Sequence, residues 1–228
     1  MIRVAVLASG SGTTFQALLD HVQDHRPGWE VVTLVSDRPD AHALDRARAA
    51  GIDACVIPVT GRPDGEVAEE TLAHLRVRGA DVVALAGYLR LVPAALVEAF
   101  PDRMLNVHPA LLPAFGGKGM YGDHVHRAVL AAGARLTGPT VHLVTAEYDR
   151  GRPLAQWPVP VLAGDEVASL RGRVQSAERA LYPLVLDHVC HALSGGRPVT
   201  PLDWSGAWLA VAPTGVSDPS TLMRTSCT

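Results

Sequence analysis

Aromatic residues are scarce in this 228-residue chain, at 5%, and cysteine is scarcer, with three residues. Cys55, Cys190 and Cys227 are odd in number, far apart and outside any Cys-x-x-Cys spacing. That argues against a disulfide framework and against a cysteine-rich zinc site. Charge imbalance is also small, with a formal net charge of -3, so the whole molecule has no pull towards nucleic acid or an anionic membrane. No uninterrupted apolar run approaches the roughly 18 residues of a membrane span. The first apolar run breaks at Gly10-Ser11-Gly12, too early for a signal peptide. The expectation is a cytoplasmic protein with small-molecule substrates, no metal, no nucleic-acid partner and no membrane partner.

Hydrophobic residues make up 48% of the chain and charged residues 19%, enough for a sizeable core without covalent staples. Short apolar runs at 2–8, 30–36, 54–59, 81–86 and 104–108 read as buried strands. Amphipathic stretches at 13–24, 41–50 and 65–77 alternate with the first four. Such alternation predicts an α/β fold: a Rossmann-like, mostly parallel twisted sheet of about seven strands with helices on both faces. Further strands are expected at 137–145 and 154–161, a helix at 124–132, and a long helix at 166–194, bent or broken near Tyr182-Pro183. One domain over 1–195 is expected, with a nucleotide-fold half at 1–100 and a catalytic half at 101–195. Residues 196–228 form a C-terminal extension, its end rich in Ser, Thr, Pro and Gly and expected to be mobile.

Three places carry candidate chemistry. The turn Ser9-Gly10-Ser11-Gly12-Thr13-Thr14 joins the first strand to the first helix. Its amides at a helix N-terminus suit a phosphate, although a tight strand-to-helix turn without a ligand reads the same way. It is no dinucleotide fingerprint, because Phe15 stands where the third glycine belongs. Second, Asn106 and His108 sit on one face at the carboxyl end of a strand, stopped by Pro109. Asn106 could donate to an oxyanion and His108 could move a proton, or both could be an ordinary polar strand end. Third, Asp149 in Tyr148-Asp149-Arg150-Gly151 is either a turn residue or a carboxylate that raises the pKa of His108. His124 and His126 would point about 200° apart on a helix, a poor fit for one ion. His142, inside an apolar strand, reads as a hydrogen-bonded core residue, and Met104 and Trp157 read as core.

Taken together the segments resemble the phosphoribosylglycinamide formyltransferase family, within the folate-dependent formyltransferases. The resemblance rests on residues 6–12, on 83–91, on Asn106-Val107-His108-Pro109-Ala110-Leu111-Leu112-Pro113, on 137–142, on 148–151 and on 173–178. It covers roughly residues 1–195. It implies transfer of a formyl group from 10-formyltetrahydrofolate, as co-substrate, to the amine of glycinamide ribonucleotide in purine biosynthesis. It also implies that Asn106, His108 and Asp149 are catalytic. The mechanism expected has Asn106 and a protonated His108 stabilising the oxyanion, with Asp149 holding His108 and ordering a water. Gly10, Ser11, Gly12, Thr13 and Thr14 would hold the substrate phosphate, and Gln175 and Glu178 the rest of the ribotide. Leu89, Arg90, Leu91 and Val92 would border the folate, and Val144, Thr145, Ala146, Glu147 and Tyr148 would receive its pterin.

The chain departs from the family pattern at Thr14, where Asn is usual, and at Pro139, where a smaller residue is usual. Asp64 stands near an expected folate-tail Arg, with Arg62 the displaced candidate. Alternative acceptors are another small amine such as an amino sugar. A non-catalytic folate- or nucleotide-binding protein is the rival of a different class. Relatives acting on initiator tRNA, or hydrolysing formyl folate, carry extra domains that are not expected here.

Overall fold

The computed structural model describes residues 1–202. Five strands pair in parallel at its centre: β1 (Ile2–Leu7), β2 (Trp29–Ser36), β3 (Asp53–Val56), β4 (Val82–Leu85) and β5 (Met104–His108). The short β6 (Leu136–Thr137) precedes β7 (Thr140–Leu143), β8 (Pro153–Gln156) and β9 (Val159–Pro160). The main sheet has seven strands in the order β3-β2-β1-β4-β5-β7-β8, its last two pairings antiparallel. The expected α/β class and strand count are therefore observed.

Alternation explains why the central strands are apolar throughout. Val4, Val6, Val82 and Ala84 pack into one core with Phe15 and Leu18 of α1 (Thr13–His25). Leu181, Tyr182 and Val185 of α6 (Val167–Ser194) complete that face. Ala5, Leu7, Val83 and Leu85 face the opposite way, onto Val67 and Leu75 of α3 (Asp64–Val77) and Leu96 of α4 (Ala94–Ala99). Both faces are dry, as a parallel sheet covered by helices requires. The helix α2 (His42–Ala49) adds Ala43, Leu44 and Ala47 to the first core. A third cluster joins α5 (Asp123–Ala131) to the start of α6 through Val125, Val129, Leu170 and Val174.

Several expected boundaries differ. The strand expected at 137–145 is interrupted at Gly138 (φ 135°) and Pro139, giving β6 and β7. The strand expected at 154–161 is likewise divided, and its second piece pairs with β6 in a separate two-stranded sheet. Helix α4 was not expected. It is six residues long and starts directly after Pro93, too short for a clear periodicity. Helix α6 runs unbroken through Pro183. Beyond it, Val199 is buried in the first core and the Leu202 amide donates to the Leu154 carbonyl. Residues 203–228, which include the tail expected to be mobile after about residue 210, lie outside the described residues. No helix among the described residues is long and apolar enough to cross a membrane.

The strand order reverses between β1 and β4, and this places the site. In open α/β sheets the crevice beyond the carboxyl ends of strands at such a switch point binds ligands. Here the ends of β1, β4 and β5 open into one cavity of about 810 Å³.

Candidate active site

The first wall of that cavity is the turn after β1. Gly12 caps α1 in the left-handed region at φ 69°. A Cβ there would lie 2.7 Å from the Ala43 Cα, so α2 packs against the turn as closely as glycine permits. Arg46 of α2 donates from Nε to the Ser11 carbonyl at 2.9 Å and holds the turn from behind. Gly12→Ala should destabilise the fold by about 2–4 kcal/mol, the sum of left-handed strain and overpacking. Thermal denaturation measures it, and an unchanged Tm would refute the close approach.

Thr14 faces α6. Its hydroxyl donates to Glu178 Oε1 at 2.5 Å, linking the glycine turn to the helix that carries Gln175. Burial pushes the Glu178 carboxyl up to about 6, although the Thr14 hydrogen bond opposes the shift. Gly10, Ser11, Gly12, Thr13, Thr14, Gln175 and Glu178 all border the cavity. A threonine at position 14 thus spends its hydroxyl on Glu178.

The floor is built where β5 meets β7. Their antiparallel register sets Asn106 opposite His142. The His142 Nδ1–H donates to the Leu143 carbonyl at 2.8 Å, which leaves Nε2 as an acceptor. Asn106 Nδ2 donates to that Nε2 at 3.1 Å, so one amide hydrogen is anchored and the other remains for a ligand. His108 Nε2 donates to the Phe115 carbonyl at 2.8 Å. Its Nδ1 lies 3.4 Å from Asp149 Oδ2. That carboxylate oxygen also accepts the Gly117 amide at 2.8 Å, and Asp149 Oδ1 is 3.6 Å from His142 Nε2.

The turn that delivers Asp149 is narrow. A Cβ on Gly151 would overlap the Leu143 carbonyl, which lets the chain double back against β7. Asp149 itself takes a left-handed backbone at φ 55°, which Asp tolerates better than most residues.

Burial lowers the His108 pKa below its ordinary value, and Asp149 offsets this only in part. The side chains of His108 and Asp149 are 3% and 9% exposed, so desolvation outweighs the ion pair. In the free protein near neutral pH the ring is therefore mainly uncharged, although Asp149 raises its pKa in the direction expected. Burial pushes the Asp149 carboxyl up, but the His142 and His108 imidazoles and the Gly117 amide together hold it below the usual carboxylate value.

The third wall carries Leu89, Arg90, Leu91 and Val92 after β4, facing Val144, Thr145, Glu147 and Tyr148 after β7. Ala146 borders only an adjoining cavity of about 510 Å³. Arg90 donates from Nε to the buried Asp37 at 3.0 Å and from Nη2 to Thr60, so its charge is already matched. Arg62 pairs with Glu70 at 2.7 Å and does not border the cavity. Pro139 also lies away from it, its carbonyl accepting the Trp157 amide.

His142 is the hydrogen-bonded core residue expected, 2% exposed, but the sequence did not show that its partner is Asn106. Its signal was a lone imidazole in the strand after the Asn-x-His strand. The sequence reading missed His126 and Arg171, which border the cavity. His124 and His126 do point apart: the first is exposed and the second buried. No group of three or more His, Cys, Asp or Glu among the described residues is placed to hold a metal.

A half-buried amide donor and an imidazole at the end of β5, with a carboxylate from the turn after β7, are the apparatus of acyl-group transfer, set beside a glycine turn. Comparison with known proteins agrees with that class. Residues 2–186 match the family described as Formyl transferase, and the chain belongs to it.

Particular relatives narrow the comparison. The chloroplastic phosphoribosylglycinamide formyltransferase of Arabidopsis thaliana is 47% identical over 82% of this chain and 65% of its own length. The chain thus spans just under two thirds of that plant relative. The Escherichia coli phosphoribosylglycinamide formyltransferase is 37% identical over 81% of this chain and 85% of its own length. Among solved structures, glycinamide ribonucleotide transformylase 1 from Symbiobacterium toebii superposes with a TM-score of 0.79 at 41% identity. That superposition covers 89% of this chain and 95% of the other.

Proposed function

We propose that the chain transfers a formyl group from 10-formyltetrahydrofolate to the primary amine of glycinamide ribonucleotide, a step of purine biosynthesis. One observation carries this reading: Asn106, His108 and Asp149 meet on the floor of the cavity that the glycine turn and the two folate-side segments also border. Its volume of about 810 Å³ suits an extended ligand with a second substrate beside it. The relatives' names support the same acceptor. Free Cys55 and Cys190 fit a reducing, cytoplasmic setting.

Formyl folate supplies the electrophilic carbon and a leaving nitrogen. The protein's residues do the rest. The glycine turn holds the acceptor's phosphate on its amides, and Gln175 and Glu178 orient the ribotide. The neutral amine then forms a bond to the formyl carbon, and the carbonyl electron pair moves onto oxygen. Asn106 donates its free amide hydrogen to that oxyanion. The uncharged His108, with Asp149 beside Nδ1, takes up the proton lost by the amine. The resulting imidazolium is stabilised by the carboxylate and gives the proton to the folate nitrogen as its bond to carbon breaks. No covalent enzyme intermediate is needed. Holding both substrates in place supplies a large part of the acceleration.

The test is a spectrophotometric transfer assay with glycinamide ribonucleotide and 10-formyl folate, run beside amino sugars. Saturable formylation of the ribonucleotide is expected. Transfer to an amino sugar alone would overturn the acceptor, and folate binding without turnover of any acceptor would leave a binding protein.

A further inference from the structure

His126 is used by none of these steps. It sits on α5, is 2% exposed, and borders the main cavity. It makes no hydrogen bond with any described residue, and its Nδ1 is buried without a partner. Buried imidazoles are nearly always satisfied, so an orphan at the edge of a cavity points to a partner that arrives with a ligand. Packing does not explain the choice, because Val125 and Val129 already fill the apolar cluster that α5 shares with α6. The nearest charges do not satisfy it either. Asp123, one turn earlier on α5, is paired with Arg171 Nη1 at 2.8 Å.

Position selects the partner. His126 feels the charges of Asp123, of Arg171 on α6, and of His108 on the cavity floor. Arg171, Gln175 and Glu178 follow one another at helical spacing and border the cavity together. His126 therefore borders the same cavity as His108 and as Arg171, Gln175 and Glu178 of α6. The folate-side segments, 89–92 and 144–148, are contributed by different elements, after β4 and β7.

We propose that His126 is a specificity-determining residue for the acceptor, hydrogen-bonding the aminoacyl amide that links the reactive amine to the phosphorylated sugar. The amide offers both a donor and an acceptor to a neutral imidazole. An amino sugar presents no amide there, so His126 favours an acceptor with an amide spacer. This rests on the ribonucleotide acceptor proposed above.

Two variants test it. His126→Phe keeps the ring volume and removes both nitrogens; His126→Asn restores a polar group near the place of Nδ1. In His126→Phe the KM for glycinamide ribonucleotide should rise about tenfold or more, in line with leaving one ligand hydrogen bond unmade. The KM for formyl folate and kcat should stay within about twofold. Tm should hold or rise, because an unsatisfied buried polar group is removed. His126→Asn should recover most of the acceptor KM. An unchanged acceptor KM in His126→Phe would refute the role, as would a fall in Tm with both KM values rising together. Calorimetric titration of the ribonucleotide into the folate-free proteins separates the two proposals. Equal binding by wild type and His126→Phe refutes the His126 contact alone. No binding by wild type refutes the acceptor, and the His126 proposal with it.

Discussion

An Asp149→Asn protein folds normally but loses about 10²–10⁴ in kcat/KM, the range of a general acid–base contribution. Folding survives for two reasons. Asn accepts the left-handed backbone at φ 55° as readily as Asp does. Its carboxamide oxygen can still accept the Gly117 amide that Asp149 Oδ2 accepts now. What disappears is the negative charge 3.4 Å from His108 Nδ1. That charge stabilises the imidazolium formed when the amine gives up its proton. The pH profile carries the signature. Burial already lowers the His108 pKa, and Asp149 is the largest influence opposing it. Without the carboxylate the pKa falls further. Because the ring acts as a base, the acid limb of kcat/KM should move to lower pH in the variant while the plateau drops. Steady-state rates between about pH 5 and 9, beside circular dichroism and Tm, decide it. A plateau within about tenfold of wild type, or an acid limb moved to higher pH, would remove Asp149 from the mechanism.

Much of this site could be read from the chain, because the strands that carry it are buried on both faces. Val4 to Leu7 and Val82 to Leu85 are unbroken apolar runs, and the residues that follow them had to lie at strand ends. Asn106 and His108 were visible for the same reason: two polar groups at alternate positions close an apolar strand. Asp149 was ambiguous, since a turn aspartate looks the same whether or not it faces a histidine. Only the folded backbone brings it beneath the Gly117 amide and beside His108. The pairing of His142 with Asn106 was hidden by a tertiary fact. Only the antiparallel register of β5 and β7 sets His142 opposite Asn106. Alternation within one strand contains no information about its neighbour. His126 was hidden differently. Its helix face could be predicted, but the lack of a partner for a buried nitrogen depends on every element packed around it. The net direction of the His108 pKa could not be read from the chain, because the proximity of Asp149 could be inferred while the depth of burial could not.

Asn106→Ala should lower kcat about 10²–10³-fold, the cost of losing one preorganised oxyanion donor. The substrate KM values should change little, because the hydrogen bond strengthens only as charge develops on the formyl oxygen. His142 makes the prediction sharper. Its Nδ1–H is fixed on the Leu143 carbonyl, and its Nε2 holds one hydrogen of the Asn106 amide. The second hydrogen is thereby turned to one direction before substrate arrives. Replacing His142 by Phe keeps an aromatic ring in the strand and releases the amide to rotate. Some of the benefit of Asn106 is then lost even though Asn106 is present. If the two residues act as one device, the double variant should be little slower than Asn106→Ala alone, because residues sharing one hydrogen-bond network are not additive. Multiplying single-variant losses would instead show that His142 serves catalysis through Asp149 Oδ1, 3.6 Å from its Nε2. Single-turnover rates, which isolate the chemical step from product release, distinguish the two outcomes.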